Sequence, residues 1–429
     1  MESSRRGIAL ILVLWILAAL IVLALGLGVT VRSEVQIARN YADLVRCRWA
    51  ARAGVNSAIS KIERLAEQPG GYLTSASPPR RIEPGEFGST LSSEEQQINL
   101  GDASFEVKIE DEAGKVNINA APGGALEALF GEREIADCII DWRDKDNLPQ
   151  SLGAETQYYS RLGKPYRAKN APFDTVGELV LVKGVTSEML SAPLAANGRT
   201  LGDLITVYSY DKNLAADGKK RIDIRTASKE ELKAKLGDVL TDQDIDAITK
   251  WRGDKETPSK PGEEKPPSPV RGAENPPKPD EEKTPSPSRG KGFRSAAEIA
   301  NVPGLSREKV QRIYDRITAS DAKVRPGRIN INTAPAEVLA VAPGLDGKSA
   351  EEIVAYREEN GPFEDVGRLL AVKAISEQAF AKSADYLTAR SCVFKLISTG
   401  RLAREQSSLV IMCIVDINDG KAQIRYWRE

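Results

Sequence analysis

The chain has 429 residues, 41% hydrophobic and 28% charged, and its 60 basic side chains almost balance 61 acidic ones. That is enough for two or three globular units with cores, and the near-zero charge argues against a protein whose main work is to coat a polyanion. Histidine is absent, which removes Ser/His/Asp and Cys/His triads, histidine proton shuttles and the common zinc sites, so no enzyme constellation stands out.

Residues Ile8 to Val31 contain no charged side chain, and as a helix they are long enough to cross about 30 Å of hydrocarbon. The run exceeds a secretory h-region, and only seven residues, MESSRRG, precede it. Orientation is not settled by flanking charge, because Arg5 and Arg6 lie before the span and Arg32, Arg39, Arg46, Arg48 and Arg52 after it. Residues 32–68 continue at near-helical spacing, with apolar Ala38, Tyr41, Ala42, Val45, Trp49, Ala53, Ile59 and Ile62, until Pro69-Gly70-Gly71 stops the pattern. The two stretches read as one helix of roughly 60 residues and about 90 Å.

A unit then recurs three times, over about 116–206, 221–320 and 328–391. The copies begin Val116-Asn117-Ile118-Asn119-Ala120-Ala121-Pro122, Ile222-Asp223-Ile224-Arg225-Thr226-Ala227-Ser228 and Ile329-Asn330-Ile331-Asn332-Thr333-Ala334-Pro335. Each is followed by an aromatic-Arg pair (Trp142-Arg143, Trp251-Arg252, Tyr356-Arg357) and a segment led by Phe173, Phe293 or Phe363. The polar residue before the small-residue step supplies a turn and helix start, and the aromatics fill seams between small helices. Residues 253–292, with ten prolines and sixteen charged side chains, cannot bury a core and are expected to be a disordered spacer.

Period-two patterns frame these repeats. Residues 104–112, 392–400 and 408–417 read as strands, with Asn418-Asp419-Gly420 as a hairpin turn. The expected fold is therefore α+β: a long N-terminal helix packed on a small antiparallel sheet from 69–116 and 392–429, interrupted by an inserted helical domain over 117–391. Cys392 and Cys413 fall on the apparent core face of neighbouring strands, where two buried thiols are the commoner outcome and a disulfide the other.

The stretch INTAPAEVLAVAPGLDGKSAEEIVAYREENGPF resembles the helix-hairpin-helix unit of membrane-anchored DNA receptors of competence systems, which makes DNA binding an alternative function. Such hairpins hold phosphate on the backbone N–H groups of a Gly-x-Gly turn. The turns here read Pro343-Gly344-Leu345-Asp346, Val302-Pro303-Gly304-Leu305-Ser306 and Lys183-Gly184-Val185-Thr186, without the second glycine, and residues 328–395 hold eight basic against ten acidic side chains. Nucleic acid is thus an improbable partner.

The whole chain more closely resembles the K-type minor pseudopilins of type II secretion systems. The residues that carry the likeness are Arg5-Arg6-Gly7 before the apolar helix, Ala53-Gly54-Val55-Asn56-Ser57-Ala58-Ile59 at its amphipathic end, and the closing Tyr426-Trp427-Arg428. To these are added Ile140-Asp141-Trp142-Arg143-Asp144-Lys145-Asp146, Gly153-Ala154-Glu155, Tyr158-Tyr159, Pro165-Tyr166 and Glu178-Leu179. The resemblance implies a pilin-like fold, single-pass insertion in the bacterial inner membrane with the body in the periplasm, and no catalysis. It further implies a pseudopilus tip built with I-type and J-type minor pseudopilins that supports export of folded proteins. Prepilin peptidase is then expected to remove the leader, residues 1–7, by cutting between Gly7 and Ile8, leaving 8–31 as the transmembrane helix. Counting from Ile8, the fifth mature residue is Leu12, where ordinary members carry the glutamate that neutralises a neighbour's amine. Asp141, Asp144, Asp146 and Glu155 offer clustered hard oxygens of the kind Ca²⁺ requires, and family members bind calcium in this domain. A solvated acidic loop, with Asn147 and Pro149 as turn residues, is the other reading.

Overall fold

The computed structural model describes residues 3–66, 98–194, 198–253, 292–402, 407–418 and 420–429. These residues form two units, one holding the N-terminal helix with residues 98–111 and 393–429, the other holding residues 112–392. Expectations for residues 67–97 and for 254–291 of the spacer lie outside the described residues.

In the first unit, α1 runs Ser3–Ala66, 64 residues with no proline to break them. Its large apolar side chains from Leu12 to Val31 are all exposed, and this part of the helix is long and apolar enough to cross a membrane. From there the character changes: Cys47, Ala50, Ala51, Val55, Ala58 and Ile62 are buried, a ridge at helical spacing. This ridge is rotated from the expected stripe, in which Tyr41 and Trp49 were to pack; both are exposed, and Trp49 is instead covered on one face by the Arg52 guanidinium, 5.5 Å from its centroid. The physical reason is closeness of approach. Small residues let the helix sit tightly on the sheet, and at Gly54 a Cβ would strike Ser398 and come within 2.8 Å of Phe105 and Val107.

The sheet is wholly antiparallel, in the order β1 (Ile98–Leu100), β2 (Ala103–Asp111), β3 (Val393–Leu402), β4 (Ser408–Asn418), β5 (Lys421–Arg428). Alternation sets the faces: along β3, Phe394, Leu396, Ser398, Gly400 and Leu402 are buried while Lys395, Ile397, Thr399 and Arg401 are less so. β4 and β5 are joined through a tight turn in which Asn418 faces Lys421 and Gly420 takes φ 77°, the left-handed conformation such a hairpin needs. Asp111 faces Phe394 across β2 and β3, so the chain leaves the sheet from one strand and re-enters on its neighbour. The sheet's limits are tighter than the expected 69–116 and 392–429. A 3-10 turn at Glu112–Gly114 carries the chain out, and Val116 and Cys392 belong to the second unit.

The second unit contains three successive segments, each closed by a two-residue parallel pair: Val116–Asn117 with Ile205–Thr206, Ile222–Asp223 with Ile317–Thr318, and Ile329–Asn330 with Leu387–Thr388. Within each, the second strand residue bends the chain through its own side chain. Asn117, Asp223 and Asn330 accept from the backbone N–H two residues on, each at 2.9 Å. The arginine of each aromatic-Arg pair then satisfies carbonyls of that same bend: Arg143 donates to Ile118 and Ala121, Arg252 to Ile224 and Ala227, and Arg357 to Ile331. In the first and third segments Asn119 and Asn332 complete the stitch, exchanging paired bonds with the backbone of Phe173 and Phe363. All four cysteines are buried and unbridged.

Candidate metal site

The first segment opens with α2 (Gly123–Phe130) and α3 (Arg133–Arg143), and α3 positions the acidic residues. Asp137 and Asp141 stand one turn apart on its buried face, and Asp144 is the residue at which the helix ends. The next side chains are split by the same geometry. Trp142 turns into an aromatic cluster, its ring 5.2 Å from Tyr159, 6.2 Å from Tyr166 and 6.4 Å from Phe173. Arg143, committed to the carbonyls of Ile118 and Ala121, forms no ion pair with the acids beside it and only weakly offsets the Asp144 charge.

A loop then folds back over the helix end. Asp141 accepts from Gln150 N–H at 3.0 and 3.2 Å, and Asp137 from Leu152 N–H at 3.3 Å and Arg133 at 2.8 Å. Gly153 is required here because a Cβ at that position would overlap the Asp141 carboxylate. The return brings in Glu155, 4% exposed, so that ligand oxygens of Asp141, Asp144 and Glu155 all lie within 4.8 Å of one another. The sequence reading also included Asp146. Its carboxylate is not in the group: it is exposed and accepts from Leu148 N–H at 2.8 Å, the bond that shapes the loop.

The electrostatics of this cluster are unfavourable as it stands. Burial raises the Glu155 carboxyl to about 7, with the Asp141 and Asp144 charges pushing the same way. Burial likewise raises Asp141, against the backbone N–H groups that favour its anion, and raises Asp144, where Asp146 adds repulsion. Both oxygens of Glu155 and Oδ1 of Asp144 are shut from solvent and have no hydrogen-bonding partner among the described residues, and Oδ1 of Asn170 is in the same condition. Orphaned buried oxygens on converging carboxylates are the donor set of a hard cation, and Ca²⁺ takes six to eight such ligands. Asp137, outside this group but supporting the loop through Leu152 N–H, is marked in the sequence only by its i, i+4 spacing to Asp141. Asn170, which holds the loop by donating to Asn147 at 3.2 Å, is marked by nothing local in the sequence.

Gly7 and Ile8 fall within the first turns of α1, and Leu12 is exposed on it. The hairpin turns tell against a phosphate site. Gly344, Gly304 and Gly184 do take φ near +85° (87, 86 and 84°), but the helix starts that follow are capped from within. Asp346 accepts from Ser349 N–H, Ser306 from Lys309 N–H and Thr186 from Met189 N–H, at 2.8, 3.3 and 3.2 Å. DNA binding is therefore not favoured.

A family model described as "Type II secretion system (T2SS), protein K" matches residues 123–194, the stretch that holds α2, α3 and the carboxylate cluster. Over this stretch and beyond it the chain is similar to type II secretion system protein K. It is 28% identical over 202 residues to the protein K of Pectobacterium carotovorum, covering 44% of this chain and 61% of that one. The corresponding protein of Aeromonas hydrophila is 26% identical over 207 residues, with 44% and 62% covered. The chain thus spans about three fifths of the length of these curated relatives. A second family model, "Helix-hairpin-helix motif", matches residues 324–388. The chain is also similar to ComE operon protein 1 of Bacillus subtilis, 40% identical over 62 residues, with 14% of this chain and 30% of that one covered. Among solved structures, the GspK-GspI-GspJ complex of the enterotoxigenic Escherichia coli type 2 secretion system aligns with a TM-score of 0.45 at 13% identity, over 93% of this chain and 98% of that one.

Proposed function

We propose that this chain is a minor pseudopilin of a type II secretion system, anchored in the bacterial inner membrane by α1 with its body in the periplasm, where it supports export of folded proteins. The observation that carries the reading is a junction within one chain. A helix that is apolar over its first half, exposed there from Leu12 on, and packed on an antiparallel sheet near its end is joined to the protein K domain at 123–194. Such a body is a scaffold and not an enzyme. The three segments of the second unit are helix-hairpin-helix-like repeats turned to protein packing, their helix starts capped and their arginines spent on carbonyls.

In this reading prepilin peptidase cuts between Gly7 and Ile8, where a basic pair and a glycine meet the apolar run. The mature chain then offers Leu12 where a filament subunit needs a carboxylate, and no acid occurs from Ile8 until Glu34. An amine buried beside it would lack a counter-charge, which is costly in an apolar bundle, so the subunit belongs at the tip and not within the shaft. Ca²⁺ is held by Asp141, Asp144 and Glu155, and it supplies the positive charge that lets three carboxylates share one buried loop.

The test is co-purification of the full chain in detergent with I-type and J-type minor pseudopilins, beside a DNA-binding assay at low salt, followed by labelled electron microscopy of assembled pseudopili. A ternary complex and one copy at a filament end are expected. Copies along the shaft would refute capping, and tight DNA binding without partner retention would replace the proposal by the competence-receptor alternative.

A further inference from the structure

Within the second unit, the bends of the first and third segments enclose a cavity of about 360 Å³. Its wall is mostly apolar, with Val116, Pro122, Ile329 and Val341 among the lining side chains, and four polar side chains reach it: Asn117, Asn119, Arg328 and Tyr386. The two asparagines are engaged elsewhere, Asn117 with Ser209 O at 2.8 Å and Asn119 with the Phe173 backbone. Arg328 is different. It forms no ion pair or hydrogen bond among the described residues, and its Nε is shut from solvent. The Tyr386 hydroxyl also makes no hydrogen bond among them.

None of the acids nearby forms an ion pair with Arg328, although Asp385 and Asp211 favour its charge from further off. Asp211 is taken by Arg325 at 2.9 Å; Asp315 is shared by Arg221 at 3.2 Å and Arg390 at 2.7 Å. Asp385 accepts from the Tyr314 hydroxyl at 3.0 Å and from Ala296 N–H at 3.1 Å. Burial and the neighbouring Arg325 charge weaken Arg328's hold on its proton, with Asp385 and Asp211 only partly opposing them. A guanidinium half withdrawn from water without an ion-pair partner costs free energy, and Arg328, half-buried with its Nε shut from solvent, stands at the cavity wall with its charge open to an anion.

We propose that this cavity binds a carboxylate carried on an apolar stem, with the Arg328 guanidinium pairing to the carboxylate, Tyr386 as a second donor and the stem against Val116, Ile329 and Val341. The planar fork of arginine matches a carboxylate bidentately. One cation and one hydroxyl suit a monoanion, whereas a phosphate dianion would find too few donors. The volume lies at the small end of ligand pockets, room for one or two residues. Two sources share this chemistry, a free small acid and the C-terminal residue of a peptide chain.

The experiment uses the full chain in detergent and measures the affinity of N-acetyl-leucine against N-acetyl-leucinamide, and of acetyl-Ala-Ala-Leu against its C-terminal amide. The acids are expected to bind at least about tenfold more tightly than the amides, and Arg328→Gln is expected to erase the preference. A tighter peptide acid assigns the site to a chain terminus, and equal affinity of the two acids assigns it to a small acid. Equal binding of acid and amide to the parent, no binding of any probe at millimolar concentration, or a preference that survives Arg328→Gln overturns the proposal. The ligand-free melting temperature is the second measurement. Removing a half-buried cation that has no ion-pair partner leaves it unchanged or raises it, and a fall of several degrees would show Arg328 already partnered in the fold and overturn the proposal equally.

Discussion

Asp365 stands where the first two segments carry Thr175 and Ser295 at the start of a 3-10 turn. Thr175 forms a capping box with Glu178, and Ser295 accepts from Ala297 N–H at 3.1 Å, but Asp365 makes no such cap bond: the Gly367 N–H only weakly favours its anion, and its buried Oδ1 has no hydrogen-bonding partner among the described residues. Burial, together with the Asp315 charge, lifts its carboxyl to about 6, and Arg390 only partly opposes this. A carboxyl raised on folding binds its proton more tightly in the native than in the unfolded state, so native stability falls as pH climbs from about 4 through about 6. Asp365→Ser restores the cap and removes the charge. It is expected to stabilise the protein at pH 7 by on the order of 1–3 kcal/mol and to flatten that part of the pH-stability curve, as read by denaturant unfolding. The same logic, with the opposite dependence on a cation, applies at Glu155. In chelator, Glu155→Gln relieves repulsion among three carboxylates and should raise the melting temperature; with millimolar Ca²⁺ the parent should gain several degrees and the variant little. A parent whose melting temperature ignores Ca²⁺ would leave the cluster as an acidic loop and no more.

At the scale of the element, α1 is governed by its smallest residues. The helix meets the sheet through Ala50, Ala51, Gly54 and Ala58, and the bulky apolar residues that a periodicity count favours, Tyr41 and Trp49, stay outside. Gly54→Val must displace Phe105, Val107 or Ser398, none of which can move without disturbing the sheet core. It is expected to cost about 2–3 kcal/mol, seen as a lower denaturant midpoint at unchanged m-value. The second segment shows another consequence of local chemistry. Where its neighbours place Asn119 and Asn332, it has Arg225, which pairs with Asp223 at 2.6 Å and so does not stitch the Phe-led segment. That segment is also the one whose two halves are separated by residues 254–291.

For the whole molecule, the arrangement of insertions matters more than any one contact. The second unit enters and leaves the first through β2 and β3, strands paired from Ala103 with Leu402 to Asp111 with Phe394. Residues 254–291 are a lesser insertion into the second segment, and Val270 is their only large aliphatic residue. They have almost nothing to bury, and loop-closure entropy changes slowly with length. Deleting them and joining Gly253 to Gly292 through a short flexible link is expected to leave the melting temperature within about two degrees of the parent's. A variant that aggregates, or that loses its partners, would make the segment structural.

Local pattern was enough for some features and not for others. The long helix follows from an unbroken apolar run without proline, the β4–β5 hairpin from its Asn-x-Gly turn, and the threefold recurrence from Asn117, Asp223 and Asn330, each of which bends its own chain two residues ahead. All of these rest on interactions between near neighbours, which a sequence displays directly. The buried face of α1, the departure of the chain from the sheet at Asp111, the exclusion of Asp146 from the carboxylate group and the entry of Glu155 were decided by contacts between distant residues. So were the engagement of Arg143 with Ile118 and Ala121 and the lack of an ion pair at Arg328. Four acids in fifteen residues look equivalent on paper. Only the folded loop, closing over Gly153, decides which three of them must share one buried volume.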